Sequence, residues 1–263
     1  ILTAALLTNS DAIHPGYGFL AENSEFAKQC EEAGIAFIGP THEMMDALGD
    51  KIQSKIVATS VGVPTIPGVE KAAENEEEVQ EYAKVCGYPL ILKASAGGGG
   101  RGMRIVRDEK DLLQEYRSAK SEAKKAFGID TIFVEKYIEN PKHIEVQVLG
   151  DKHGNLVHLF ERDCSIQRRH QKVIEFGPAL CLSEEQRQAI CGDALKIAGS
   201  VNYRGAGTVE FLVDATGQHY FIEMNPRIQV EHTVSEMITG VDIVQAQIMV
   251  AQGYPLNSDE INI

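Results

Sequence analysis

Apolar positions along this chain follow two rhythms. In the first sixty residues, short apolar runs alternate with stretches of helical spacing. Residues 11–14 and 35–38 predict short strands, and a helix over 24–33 lies between them and stops at Gly34. This reads as the last βαβ piece of an α/β domain. Residues 41–60 predict one long helix leading away from it. The segment Gly62–Gly68 punctuates the chain with turn residues. An acidic helix over 74–85 then closes at Gly87, strands follow over 88–95 and 103–107, and a helix capped by Asp108 runs to just before Gly128. Farther on, alternation with a period of two dominates. It predicts strands over 131–138, 143–149 and 156–161 and a hairpin of 207–214 with 219–225. Ser183-Glu184-Glu185-Gln186 is a capping box that opens a helix between them. A last helix is expected over 233–251. The order is α/β followed by α+β.

Composition narrows the function classes. A chain of 263 residues makes one or two domains. No apolar run reaches the ~18 residues of a membrane span. A formal net charge of −13 argues against a broad nucleic-acid surface. The five cysteines are odd in number and form no C-x-x-C, so they read as reduced, buried thiols in a reducing compartment. The apolar opening Ile1–Leu7, without an initiator methionine, reads as a cut through a helix and hence as a piece of something longer.

The candidate chemistry gathers in a few places. Gly97, Gly98, Gly99 and Gly100 precede Arg101-Gly102 and then a strand. No Gly-Lys-Ser/Thr follows, which excludes a Walker A loop, and no helix follows, which argues against a dinucleotide fingerprint. Strand, glycine loop and strand describe a flap whose bare backbone can approach phosphates. Lys93 ends the apolar strand before it and can hold phosphate oxygens as a point charge. In the C-terminal hairpin, if Asp214 faces His219, then Glu210 lies opposite Glu223, with Asn225 on the same face. Opposed carboxylates are unfavourable in a sheet unless a cation joins them, and an all-oxygen set suits Mg²⁺ or Mn²⁺. Arg227 offers a fork for an oxyanion and Glu231, four residues on, a base, although the two read equally as an ordinary ion pair. Gln167–Lys172 is a basic island that either neutralises an anion or is a solvated loop. His143, Glu145 and Gln147 share one polar strand face that lines a site or meets water.

Together these pieces resemble the biotin carboxylase family of the ATP-grasp superfamily. The resemblance is carried by His14–Leu20, Gly49-Asp50-Lys51, Lys93–Met103, Glu161-Arg162-Asp163-Cys164-Ser165, Gln167–Lys172 and Glu223–His232. It implies the end of a Rossmann-like pre-ATP-grasp domain over 1–48, then an ATP-grasp domain over 49–263 with a glycine-rich lid over about 70–137. The family's further C-terminal domain, with the arginine that helps stabilise the biotin enolate, has no match. The implied reaction is activation of bicarbonate by MgATP to carboxyphosphate, followed by carboxylation of biotin. The implied ATP contacts are Lys51, Lys93, Gly97, Gly98, Gly99, Gly100, Met103, the adenine hinge Glu135, Lys136, Tyr137 and Ile138, and His143, Gln167 and His170. Glu210, Glu223 and Asn225 match the metal ligands. Lys172, Arg227, Gln229 and Val230 match the bicarbonate pocket, with Glu231 as base. The implied cofactors are ATP, Mg²⁺ or Mn²⁺, and biotin as carrier substrate. The implied partners are a biotin carboxyl carrier domain and a carboxyltransferase domain, with no nucleic acid and no membrane. The full-length protein is expected to be a homo-oligomer in the cytoplasm, or in the mitochondrial matrix of a eukaryote. Residues 151–164 and 240–253 look most like the pyruvate carboxylases, which make oxaloacetate. The acetyl-CoA and propionyl-CoA carboxylases share the domain, other ATP-grasp ligases also use bicarbonate, and a piece of this kind could bind nucleotide only.

Overall fold

The computed structural model describes residues 1–68, 71–94, 102–128, 130–169 and 171–263. After α1 (Leu2–Leu7), strands β1 (Ala12–Ile13) and β2 (Ala36–Phe37) pair in parallel, with α2 (Ser24–Glu32) between them. The Asn23 side chain caps α2 by accepting the Phe26 N–H at 2.7 Å. The single helix expected over 41–60 is two, α3 (His42–Gly49) and α4 (Lys51–Ser60). The break is chemical. Asp50 adopts extended backbone, and its carboxylate accepts the N–H groups of Ile52 and Gln53 at 2.9 and 2.8 Å. An aspartate that bonds the backbone this way favours a cap over a helix interior. Lys51 thereby becomes the first residue of α4.

Next come α5 (Glu76–Cys86), β3 (Leu90–Ala94), β4 (Met103–Val106), α6 (Leu112–Phe127) and β5 (Ile132–Lys136). The three strands form an antiparallel sheet of order β4-β3-β5. The two helices cover it through an apolar core that includes Val79, Leu90, Leu92, Leu112, Tyr116 and Val134.

The larger sheet contains β6 (Lys142–Gly150), β7 (Leu156–Arg168), β8 (Gln171–Phe176), β9 (Gly205–Val213) and β10 (His219–Asn225), with α7 (Glu184–Ser200) inserted before β9. Its order is β10-β9-β6-β7-β8, all antiparallel. β7 runs well beyond the strand expected over 156–161, and β8 was not foreseen. Glu161, Arg162 and Asp163 are consecutive, polar and buried, and so interrupt the alternation that marks a strand. The capping box at Ser183 and Gln186 forms as read. The final helix divides into α8 (His232–Thr239) and α9 (Ile243–Gln252). Gly240, at φ 74°, takes the left-handed turn between them, and Asp242 caps α9. No single helix among the described residues is long and apolar enough to cross a membrane.

The two faces of the large sheet differ. Ile144, Val146, Val209 and Phe211 pack with Ile190, Ala194 and Ile197 of α7. Along β6, His143, Glu145 and Gln147 alternate with that apolar set, so they share the opposite face. The site is on that face.

Candidate active site

A row of charge crosses four strands. Glu223 on β10 pairs with Glu210 on β9, Glu210 pairs with Glu145 on β6, and Glu145 pairs with Arg162 on β7. The sequence argument reached the first pair through a register that the hairpin does not have. His219 faces Val213, not Asp214, and Asp214 instead closes the turn with Gln218. A register shift between Phe221 and Glu223 then restores the opposition of Glu210 and Glu223. One extra residue in β10 re-aims everything after it.

Three carboxylates in a row would repel one another. The compensation comes from elsewhere in the fold. Lys172 on β8 contacts Glu145 and lies 3.2 Å from Glu210 and 2.8 Å from Glu231. His143 Nε2 lies 2.6 Å from Glu210 and 3.3 Å from Glu145, and Gln167 Nε2 lies 3.1 Å from His143 Nδ1. Asn225 and Gln229 donate to Glu210 Oε1 at 2.7 and 3.1 Å. Lys51 pairs with Glu223 at 3.1 Å. Burial pushes the Glu145, Glu210 and Glu231 carboxyls up, but the cations and hydrogen bonds outweigh it and hold all three below the ordinary value. Burial alone would lower His143, yet its bonds to Glu145 and Glu210 push it up to about 9. Burial likewise opposes the charge on Lys172, but the surrounding carboxylates raise its value.

Above this row is an open cavity of about 520 Å³, lined by Tyr17, Met103, His143, Gln167, Lys172, Glu210, Glu223, Asn225, Arg227, Gln229, Val230 and Glu231. Ten of the predicted site residues come from two chain segments, 167–172 and 223–231, and two single strand positions, His143 on β6 and Glu210 on β9, and the fold gathers them with Met103 around one space. Arg227 lines the cavity, but its Nε donates to Glu22 at 2.7 Å, so its fork is partly committed in this state. Lys51 lines an adjacent cavity that shares Glu223 and Asn225.

The remaining predictions fall elsewhere. Lys93 ion-pairs with Glu135, which Lys55 also approaches at 3.4 Å. Lys136 Nζ donates to the Tyr88 carbonyl at 2.8 Å, and the Tyr137 N–H donates to the Pro89 carbonyl at 3.0 Å. None of Lys93, Glu135, Lys136, Tyr137 and Ile138 lines either cavity among the described residues. Gly97, Gly98, Gly99, Gly100 and His170 lie outside the described residues. Two central groups were given no role from sequence: Glu145, visible only as one member of a polar strand face, and Arg162, visible only as a letter in a motif.

The donor set fits a hard divalent cation. Glu210 and Glu223 offer carboxylate oxygens from facing strands, the kind of ligand Mg²⁺ or Mn²⁺ prefers, while Asn225 turns its amide nitrogen to Glu210. Ligand atoms of His143, Glu145 and Glu210 also lie within 4.8 Å of one another, as do those of Glu145, Cys164 and Glu231.

Comparison with known proteins places this geometry. The family described as carbamoyl-phosphate synthase L chain, ATP binding domain, matches residues 50–259. The biotin carboxylase N-terminal domain matches residues 1–45, and the chain belongs to the biotin carboxylase family. It is 61% identical over 263 residues to the pyruvate carboxylase of Bacillus subtilis, all of this chain and 23% of that one. The chain thus spans about a quarter of the length of that relative. Among solved structures, a biotin carboxylase–βγ-ATP complex from Campylobacter jejuni is 54% identical with a TM-score of 0.90, covering 99% of this chain and 58% of that one. The biotin carboxylase domain of the Hydrogenobacter thermophilus 2-oxoglutarate carboxylase, in complex with MgADP, ADP and bicarbonate, is 55% identical with a TM-score of 0.89, covering 100% and 58%. These neighbours carry the ATP-grasp fold.

Proposed function

We propose that this chain is the ATP-grasp part of a biotin carboxylase, working within a pyruvate carboxylase. It uses MgATP to convert bicarbonate to carboxyphosphate and then carboxylates biotin on a carrier domain, and a carboxyltransferase domain passes the carboxyl group to pyruvate. The single observation that carries this reading is Lys172, held between Glu210 and Glu231 in a cavity that also presents Arg227 and Gln229. A bicarbonate there meets cationic and amide donors on one side and a carboxylate base on the other. Glu231 is held ionised by Lys172, so it can take the bicarbonate proton as the oxyanion attacks phosphorus. Glu210, Glu223 and Asn225 would hold Mg²⁺, which screens the phosphate charge. The boundary near residue 48 and a lid over about 70–137 belong to the same proposal. The separate apolar core of the small sheet supports the second, and the limits of the matched families support the first.

In the intact carboxylase, Glu231→Gln is expected to cut bicarbonate-dependent ATP cleavage by about 100-fold or more while sparing MgATP binding. Calorimetry with a non-hydrolysable analogue checks the binding arm. Undiminished turnover would remove Glu231 from the role of base.

A further inference from the structure

Arg162 has no place in the chemistry above, yet it is among the most deeply buried side chains of the molecule. It does not line the cavity. Its guanidinium joins five acceptors from four segments of chain: two on β6, one on β9, one between β10 and α8, and one on α8. NH1 donates to Gln147 Oε1 at 2.9 Å and to Ser235 Oγ at 2.8 Å. NH2 is shared among Gln229 Oε1 at 3.1 Å, Glu145 Oε2 at 3.3 Å and Thr208 Oγ1 at 3.3 Å. Nε has no partner. Filling this space is a task an apolar side chain can do, whereas a buried charge is costly unless it is paired and hydrogen-bonded.

Each bond has a consequence one residue farther on. Gln229 carries an acceptor and a donor end, and the guanidinium can take only the acceptor. With Oε1 tied to Arg162, Nε2 must face Glu210 and the cavity. Glu145 is divided in the same way: Oε2 meets Arg162 and Oε1 meets Lys172, which fixes where the lysine stands between Glu210 and Glu231. Ser235 sits on α8, the helix that begins directly after Glu231, so the same guanidinium holds the element carrying the base. The bulge in β7 that puts Phe160 at φ 59° sets the register in which Arg162 faces Glu145.

We infer that Arg162 is a positioning residue for the anion subsite: through Gln229, Glu145 and α8 it presets the donors and the base that meet bicarbonate, without touching bicarbonate. The inference rests on the function proposed above. It separates two substrates, because the residues Arg162 orders surround the oxyanion, whereas the nucleotide's expected lysines, Lys51 and Lys93, are held by Glu223 and Glu135.

The test measures KM for bicarbonate and for MgATP in the ATP-cleavage reaction of the intact carboxylase, for wild type, Arg162→Met, Arg162→Lys, Gln229→Ala and the double variant Arg162→Met/Gln229→Ala. Arg162→Met is expected to raise KM for bicarbonate by about 10-fold or more and to leave KM for MgATP within about 2-fold. Arg162→Lys keeps the charge but loses the fork and should not restore the bicarbonate KM. In the Gln229→Ala background the Arg162 substitution should add little, because the two act in one chain. Should Arg162→Met not accumulate as a folded protein, Ser235→Ala decides. It removes one anchor of the guanidinium and no cavity residue, and it should shift the bicarbonate KM alone. An unmoved bicarbonate KM, parallel rises in both KM values, or full rescue by lysine overturns the role of Arg162 and leaves the proposed function standing. A wild-type protein whose ATP cleavage ignores bicarbonate overturns both.

Discussion

The two sheets of this molecule handle charge in opposite ways. In the three-stranded sheet the core under the helices is apolar, three ion pairs lie at the surface, Arg117 with Glu76, Arg107 with Glu139 and Arg104 with Glu122, and one half-buried cluster, Glu135 with Lys93 and Lys55, stands apart from that core. Each of the three surface pairs is an exposed or half-exposed couple that water could replace. In the five-stranded sheet the charges are inside. Glu145 and Arg162 are fully buried, Glu210 is nearly so, and each has several partners. There the removal of one member leaves others buried and unpaired, and that penalty outweighs anything the pair contributed. The small sheet is built like an ordinary α/β core. The large one is a scaffold that holds a desolvated charge row in place.

This contrast can be broken most severely at Glu145. Glu145→Leu leaves Arg162 and Lys172 facing an apolar side chain, with an expected loss of about 3–5 kcal/mol, the usual cost of orphaning a buried charge. Urea unfolding of the single variant beside Glu145→Leu/Arg162→Met checks it. If the contrast holds, the double variant recovers much of the loss, and equal losses would mean that the row is not a coupled unit. A cut of similar or lesser size is Leu92→Ala in the small sheet, where a fully buried side chain leaves a cavity at about 2–5 kcal/mol. Amide hydrogen exchange should speed up over 90–94 and 132–136 and stay unchanged over 142–150 and 205–213. Uniform acceleration would show that the two cores open together. The smallest effect is expected from Arg117→Ala, which removes an exposed pair. Its melting temperature should match wild type at both low and high salt, and a salt-sensitive drop would place that surface pair among the structural ones.

The local elements were legible where neighbouring residues decide them. The capping box at Ser183, the stops at Gly34, Gly87 and Gly128, and the opposed Glu210 and Glu223 could all be read from short stretches. Two long helices were misjudged because a helical period continues through Asp50 and Gly240, whereas an aspartate cap and a left-handed glycine end them. The hairpin was right in opposing Glu210 and Glu223 although its turn was one residue out, since the bulge near Ile222 compensates. The extension of β7 escaped because its buried polar residues Glu161, Arg162 and Asp163 erase the alternation on which a strand reading depends, and β8 escaped because none of its residues is buried, so no buried face marks it.

The sequence by itself therefore determined the family and the chemistry it implies, through the resemblance of motifs spread along the chain, and the residue types that face one another within a hairpin, through spacing along two strands. Only the tertiary structure decided that Glu145 from β6 extends the Glu210–Glu223 row, that Lys172 from β8 stands among the carboxylates, and that Arg162 ties Gln229, Glu145 and α8 together. Those contacts join residues from 17 to 73 positions apart, and strand order, not local periodicity, brings them together. Burial then gives them their effect: the same charges in water would be screened and interchangeable, while between packed layers each fixes the orientation of the next.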